Sequence, residues 1–592
     1  MRDAFIGAEA TVYTVAMISS NGAAARLLVR CTVLAALVQL LLWRQQDGNP
    51  DRFSPIFWYL LRAFDTHGNV LLFAAVVLAF ALRRSDEALG VVRFAARRPW
   101  LLAAAAFALL CAGARFAYHA HPLSMDEYSA LFQAEAFATG RLAGELPVAW
   151  LDRLIPPFFQ SYFFRVDGSS GAVSSAYWPG FALLLAPFAW LGVPWVANPL
   201  LGALAIPAVH RLASAAGGAT DASTEAGGWA VLLLLASPVF VISSISFYSL
   251  PAHLLLNATF AVLLLKPTPS RAALAGLVGS LALTLHNPVP HALFSLAFLA
   301  WLAARRSFGA LAALLAGYVP LCALLGLGWH FYLLDLARPL AEPGAGAAGQ
   351  AAASSSTTAL GAAASAVVQA IDGAIRGALP SFTMEFVQAR LAGLSKLWTW
   401  STAGLVVLAA YGLRSRHRPG VEAKLLAAAF AVTIVGYFFV RFDQGHGWGY
   451  RYAYPAFFAL PVLAAVALCR PGEDEARLPA MAAWAALLSI PLAVGLRLVQ
   501  VESFVDRHLG QVPPLATPAS EARREVVFVN FRTGFYSQDL VQNDPFLRSP
   551  RIIMVHDEGT ETFMKQHFPR YEKAAEGPWG EQWIEARPTK QR

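Results

Sequence analysis

The chain has 592 residues, 57% of them hydrophobic and only 14% charged, against roughly half and a quarter in an ordinary soluble protein. Residues 501–592 hold 25 of the 82 charged positions, about 27% of that stretch, so the first 500 residues are poorer still. This excludes a single soluble globular enzyme and a disordered chain, and points to an all-α polytopic membrane protein with a small C-terminal α/β soluble domain.

The first strong apolar run, Leu27–Trp43, has no small-residue cleavage site behind it and reads as a membrane helix rather than a removed signal peptide. Further runs lie near 67–82, 100–118, 197–213, 229–247, 250–265, 271–286, 290–304, 309–332, 394–413, 424–441, 452–468 and 479–499, about thirteen spans in all. Alternating them from an inside N-terminus puts Arg26/Arg30, the Arg83–Arg98 cluster, Lys266/Arg271, Arg305/Arg306 and Arg414/Arg416/Arg418/Lys424 on the cytoplasmic side. The net charge of +8 is therefore an orientation signal, and no nucleic-acid partner is expected. Pro179–Trp190 is apolar but only about twelve residues long, too short to span comfortably. Counting it would invert every later loop, so it reads as an interfacial or re-entrant helix.

With that choice the outer face receives loop 119–178, turns at 248–253 and 286–291, loop 333–393, the turn 443–451 and the tail. Residues 341–366 are rich in Ala, Gly and Ser and carry no chemistry to read. In the tail, Val526–Val529 and Ile552–Val555 are strand-like. Cys31, Cys111, Cys322 and Cys469 sit in apolar stretches without paired spacing, so neither a disulfide framework nor a zinc site is suggested.

Almost no carboxylate falls inside a predicted span, whereas ion-coupled transporters place ionisable groups there. The charged residues gather at outer helix ends instead. His121-Pro122-Leu123-Ser124-Met125-Asp126-Glu127-Tyr128 opens a helix running to Gly140. Adjacent acids there can supply a general base for an acceptor hydroxyl, or ligands for a divalent cation. Ser124 and Glu127 also have the spacing of a helix capping box, which leaves Asp126 as the better candidate for chemistry. Glu135 lies at a similar helical angle and reads as a solvated position.

Tyr177-Trp178-Pro179-Gly180 leads into the short helix, with a Pro/Gly helix start as the plain alternative. His253 and His286 can line the same cavity or act as polar anchors at the interface. Gly447-Trp448-Gly449-Tyr450-Arg451-Tyr452 brings a guanidinium to a helix end, suited to a phosphate or to snorkelling toward headgroups.

Taken in order, Met125-Asp126-Glu127-Tyr128 through Gly140-Arg141-Leu142, Tyr177-Trp178-Pro179-Gly180-Phe181, Asn198-Pro199-Leu200-Leu201-Gly202 and Gly449-Tyr450-Arg451-Tyr452 resemble bacterial membrane glycosyltransferases of the GT-C fold. The group most similar is glycosyltransferase family 39, with its protein O-mannosyltransferases and lipid A aminoarabinose transferase. The tail segment Gln538-Asp539-Leu540-Val541-Gln542-Asn543-Asp544-Pro545 also looks like uncharacterised members. The resemblance covers roughly residues 100–560.

It implies inverting transfer of a sugar from a polyprenyl-phosphate donor in the membrane lipid to a hydroxyl or amine of a glycan, lipid or protein acceptor. The transfer would take place outside the bacterial cytoplasmic membrane, with the tail in the periplasm. Asp126 maps onto the family's proposed base; Arg451 would hold the donor phosphate; Tyr177, Tyr450, His253 and His286 would line the pocket. Some members use a divalent cation and others do not, so a metal stays open, with Glu127 as its candidate ligand or as a support for Asp126.

This sequence departs from the family pattern in having Ala176 where relatives carry Lys, and Trp178 in place of a Pro. Two helices within residues 1–99 precede the core at 100–500, and the tail occupies 501–592. A flippase for a lipid-linked glycan, or a scaffold that recruits partners through the tail, remain alternatives.

Overall fold

In a computed structural model of the chain, the residues described are 22–44, 56–217, 222–337, 383–414, 419–440, 444, 447–469, 475–516 and 523–586. The Ala/Gly/Ser-rich stretch 341–366, Arg416, Arg418 and Asp443 lie outside them. The protein is a helical multi-pass membrane protein with a small sheet domain at its C-terminal end.

Each of the thirteen expected segments falls on helix. Helices α1 (Gly22–Arg44), α2 (Ile56–Leu82), α3 (Leu89–Arg97) and α4 (Pro99–Phe116) precede the loop 119–178, which contains α5 (Met125–Ala138). Then come α6 (Gly180–Trp190), α7 (Ala197–Ala216), the pair α8 (Ala222–Leu235) and α9 (Pro238–Ile245), α10 (Leu250–Leu264), α11 (Pro269–Thr284), α12 (Val289–Ala304) and α13 (Phe308–Leu336). After residue 383 follow α14 (Met384–Thr399), α15 (Leu405–Gly412), α16 (Val421–Tyr437), α17 (Ala459–Leu468) and α18 (Leu478–Leu509). Among the described residues six helices are long and apolar enough to cross a membrane, or seven if α8 and α9, bent by 65°, form one span. The helix at Gly180–Trp190 has 11 residues, a length of roughly 16 Å at 1.5 Å per residue, about half a hydrocarbon core.

One expected span is broken. The run 394–413 forms α14 and α15 with an irregular stretch between them, and the freed backbone groups find partners in neighbouring helices. The Trp400 carbonyl accepts from the Val239 N–H at 2.9 Å. The N–H groups of Thr402 and Ala403 reach the hydroxyls of Ser237 (3.1 Å) and Ser489 (3.0 Å). Irregular backbone at membrane depth survives only where protein satisfies it in this way.

The second N-terminal helix, α2, is bound into the body by charge. A π-helical turn, Leu61–Asp65, sets the Asp65 carboxylate toward α14 and α18. It is fully buried and accepts from Lys396 Nζ at 2.7 Å, Arg497 Nη2 at 2.8 Å and Trp400 Nε1 at 2.6 Å. Asn69, one turn on, accepts from Trp398 Nε1 at 2.8 Å and donates to the Ala35 carbonyl at 3.0 Å.

Outside the helices, β1 (Gly144–Glu145), β2 (Phe164–Val166) and β3 (Ala172–Ser175) make a small antiparallel sheet in the loop 119–178, ordered β1-β3-β2. In the tail, β4 (Glu525–Val529), β5 (Arg551–Val555), β6 (Tyr571–Gly577) and β7 (Gly580–Glu585) order as β5-β4-β7-β6, with β4 and β5 parallel and helix α19 (Thr560–His567) between β5 and β6. All five β4 residues are buried. The tail packs on the loop 119–178: Phe528, Met554 and Phe563 share one apolar cluster with Leu151, Leu154, Phe159 and Phe164, and Arg153 meets Asp557 at 2.6 Å.

Candidate active site

The site starts at the first turn of α5. Ser124 is extended (φ −141°, ψ 161°), as a residue preceding a helix should be. Asp126 and Glu127 follow in the turn where the helix dipole favours acids. The far end is closed by Gly140 in the left-handed region (φ +77°), with Gly140 N–H on the Phe137 carbonyl and Arg141 N–H on that of Ala136, a Schellman ending that glycine makes without strain.

The capping box suggested by Ser124 and Glu127 does not form. The Ser124 hydroxyl lies 2.9 Å from the Tyr248 hydroxyl instead. The Glu127 carboxylate, fully buried, accepts from Leu123 N–H (2.8 Å), Phe247 N–H (2.8 Å) and the Tyr118 hydroxyl (2.9 Å). The turn between α9 and α10 has taken both partners. Burial pushes the Glu127 carboxyl up to about 7, its three donors opposing.

Asp126 faces the other way, into a group of side chains drawn from four parts of the chain. Arg451 Nη1 meets Asp126 Oδ2 at 3.0 Å, with the side chains 13% and 21% exposed, and the Tyr177 hydroxyl donates a short hydrogen bond to Asp126 Oδ1. Burial alone would raise the Asp126 carboxyl, but Arg451 and the Tyr177 bond hold it below the ordinary carboxylate value. Burial works against the Arg451 charge as well, yet Asp126 beside it raises its pKa, so the pair is ionic.

Arg451 is aimed by Gln444, whose side-chain oxygen accepts the Arg451 N–H (3.1 Å) and whose carbonyl accepts Nη1 (2.8 Å). The guanidinium carbon sits 4.2 Å over the Tyr248 ring, within cation–π range. Tyr177 is fixed through its own backbone: Trp329 Nε1 donates to the Tyr177 carbonyl at 2.9 Å and Trp178 N–H to the His286 carbonyl at 3.0 Å. Gly180 then lets α6 touch the end of α11, since a Cβ there would lie 2.6 Å from the Thr284 carbonyl oxygen. His286 follows α11, and its ring lies 3.7 Å from that of Tyr177.

Asp126, Arg451, Tyr177 and His286 are thus brought together. Tyr450 turns away, its ring against Gly393 of α14. His253 is buried inside α10 near His286 and His291, with neither ring nitrogen hydrogen-bonded among the described residues. Glu135 is half-buried beside Asp544, and burial pushes it up to about 7. Among the described residues no group of three or more His, Cys, Asp or Glu is placed to hold a metal ion. Glu127, the candidate ligand, already has both oxygens engaged.

Three participants carry no local signal in the sequence: Tyr248, Gln444 and Asp539. Asp539 comes from the tail, accepts the Met125 N–H at 3.2 Å, and lines a cavity of about 390 Å³ with Ser124, Met125 and Asp126. Burial, and then the neighbouring Asp126 and Glu127, push its carboxyl up to about 7. The tail is stitched here by the Tyr128 hydroxyl, which donates to the Asn543 carbonyl (2.5 Å) and accepts the Asn543 N–H (2.8 Å), and by Gln542 Nε2 on the Pro122 carbonyl (2.9 Å). The turns 248–253 and 443–451 and the run Gln538–Pro545, singled out by its resemblance, were the available hints.

No family model matches the sequence. No curated protein matches it either. Among solved structures, the chain is similar to the crystal structure of ArnT from Cupriavidus metallidurans in the apo state, at 13% identity and a TM-score of 0.47, over 82% of this chain and 97% of that one. It is similar also to ArnT from Cupriavidus metallidurans bound to undecaprenyl phosphate, at 14% identity and a TM-score of 0.44, with the same coverage.

Proposed function

We propose that the chain transfers a sugar from a polyprenyl-phosphate donor to a hydroxyl or amine of a glycan, lipid or protein acceptor. The transfer takes place at the periplasmic face of a bacterial inner membrane, within a core at residues 100–500. The observation that carries this reading is the ion pair between Asp126 and Arg451, half-buried at the ends of apolar helices, with Tyr177 on the same carboxylate.

A carboxylate engaged by Arg451 and Tyr177 is a weak base. A donor phosphate has the charge and geometry to take the guanidinium fork, and drawing Arg451 away restores the basicity of Asp126. Asp126 then removes the proton from the acceptor group as that atom bonds to the anomeric carbon with inversion. The bond from the anomeric carbon to the phosphate oxygen breaks, and the leaving polyprenyl phosphate keeps the electron pair. Arg451 meets the charge that grows on that oxygen. The ion pair therefore lets the base reach full strength only when donor is present.

Assays of the full chain in lipid nanodiscs, with undecaprenyl-phosphate-linked sugars as donors, test this reading. General-base assistance is worth about 10²–10⁴-fold, so Asp126→Asn should lose at least 10²-fold in turnover while still binding donor. Arg451→Ala should weaken donor binding by about tenfold or more. Near-normal turnover of Asp126→Asn would sink the assignment of the base.

A further inference from the structure

The cavity beside Asp126 differs in chemistry from the Arg451 side of the site. Among the described residues its lining holds two carboxylates (Asp126 and Asp539), the Gln538 amide, four phenyl rings and no Lys or Arg. Its volume, about 390 Å³, is that of a small-ligand site. A phosphate placed here would meet carboxylates and no cation. A sugar ring would meet hydrogen-bond acceptors for its hydroxyls and apolar ring faces for its C–H groups.

Asp539 is built into this wall. The bonds from Tyr128 and Gln542 fix the chain on either side of Asn543. Its carboxylate accepts one hydrogen bond, from Met125 N–H, and no second among the described residues. That leaves acceptor capacity facing the cavity.

We propose that this cavity is the acceptor subsite, that it takes the ring of a glycan acceptor, and that Asp539 binds a hydroxyl next to the one that Asp126 deprotonates. The inference rests on the sugar-transfer reading above and adds the acceptor class. The donor phosphate sits at Arg451, the acceptor sugar between the outer loop and the tail, and Asp126 stands between them.

The test uses the full chain in nanodiscs with an undecaprenyl-phosphate-linked sugar. It measures both transfer to a panel of methyl glycopyranosides and hydrolysis of the donor when no acceptor is added. Asp539→Asn keeps an oxygen for Met125 N–H but replaces the other carboxyl oxygen with an N–H₂ donor. Losing that hydrogen bond to the acceptor hydroxyl should raise the acceptor KM about tenfold, a larger factor than any change in donor hydrolysis. Phe158→Ala removes a half-exposed ring from the cavity wall and should raise the same KM with hydrolysis unchanged, a second route should Asp539→Asn fail to fold.

Unchanged acceptor KM in both variants, with Asp126→Asn inactive, would overturn the subsite and leave the sugar-transfer reading standing. Equal loss of hydrolysis and transfer would also overturn it, because Asp539 would then serve the reacting centre and not the acceptor. Transfer to ethanolamine but to no glycoside would overturn the acceptor class. A wild-type chain that neither hydrolyses nor transfers any such donor would overturn both.

Discussion

Two neighbouring carboxylates have opposite fates because of what faces them. Asp126 is paired with a cation and lines a cavity; Glu127 is sealed among three neutral donors and ties Phe247 and Leu123 to α5. Glu127→Gln would turn an N–H₂ toward groups that themselves donate, a buried mismatch costing about 1–3 kcal/mol. A lower melting temperature, with no rescue by added divalent cations, is the expected outcome; rescue by a cation would favour the metal role instead. The Asp-Glu pair at the start of this helix was legible in the sequence. The use of Glu127 was not, because the capping spacing describes only residues three apart and the competitors, Tyr248 and Phe247, arrive from about 120 positions away.

Among elements, hydropathy located the helices well, since burial in lipid is written into composition. It did not locate the break between α14 and α15, which depends on hydroxyls of Ser237 and Ser489 supplied by other helices. Nor did it give a role to α1 and α2. The structure gives α2 one through Asp65, the anion shared by Lys396 and Arg497. Asp65→Asn should therefore cost about 3–5 kcal/mol, as removing one partner from a buried ionic group does, seen as a large drop in thermal stability in detergent. A stability loss below about 1 kcal/mol would mean α2 is not anchored by this charge. At α6, Gly180→Ala forces a methyl against the Thr284 carbonyl. Overpacking of this kind costs about 1–3 kcal/mol, and because the same contact docks Tyr177 and His286, donor turnover should fall with it.

For the molecule as a whole, the layer made by the loop 119–178 and the tail carries a distinct pH signature. Glu127, Glu135 and Asp539 hold protons up to about pH 7 when folded and release them near pH 4 when unfolded. The folded state therefore binds more protons across that window, so stability is greatest on the acid side and falls as pH rises from about 4 to about 7. Asp126, held low, acts below this range. Melting temperatures measured from pH 4.5 to 7.5 should decline, and less steeply in Asp539→Asn; an identical slope in that variant would remove Asp539 from the account.

The hydrogen bond from Met125 N–H to Asp539 joins positions 414 residues apart. During synthesis, α5 is made long before the segment that satisfies its first N–H and walls the cavity beside Asp126. Helices can enter the membrane one after another, but the pocket has no far side until the tail, residues 523–586, has folded onto the loop 119–178. Chains stalled before Asp539 is made would insert yet lack that wall, so the site takes shape only after the helices that flank it.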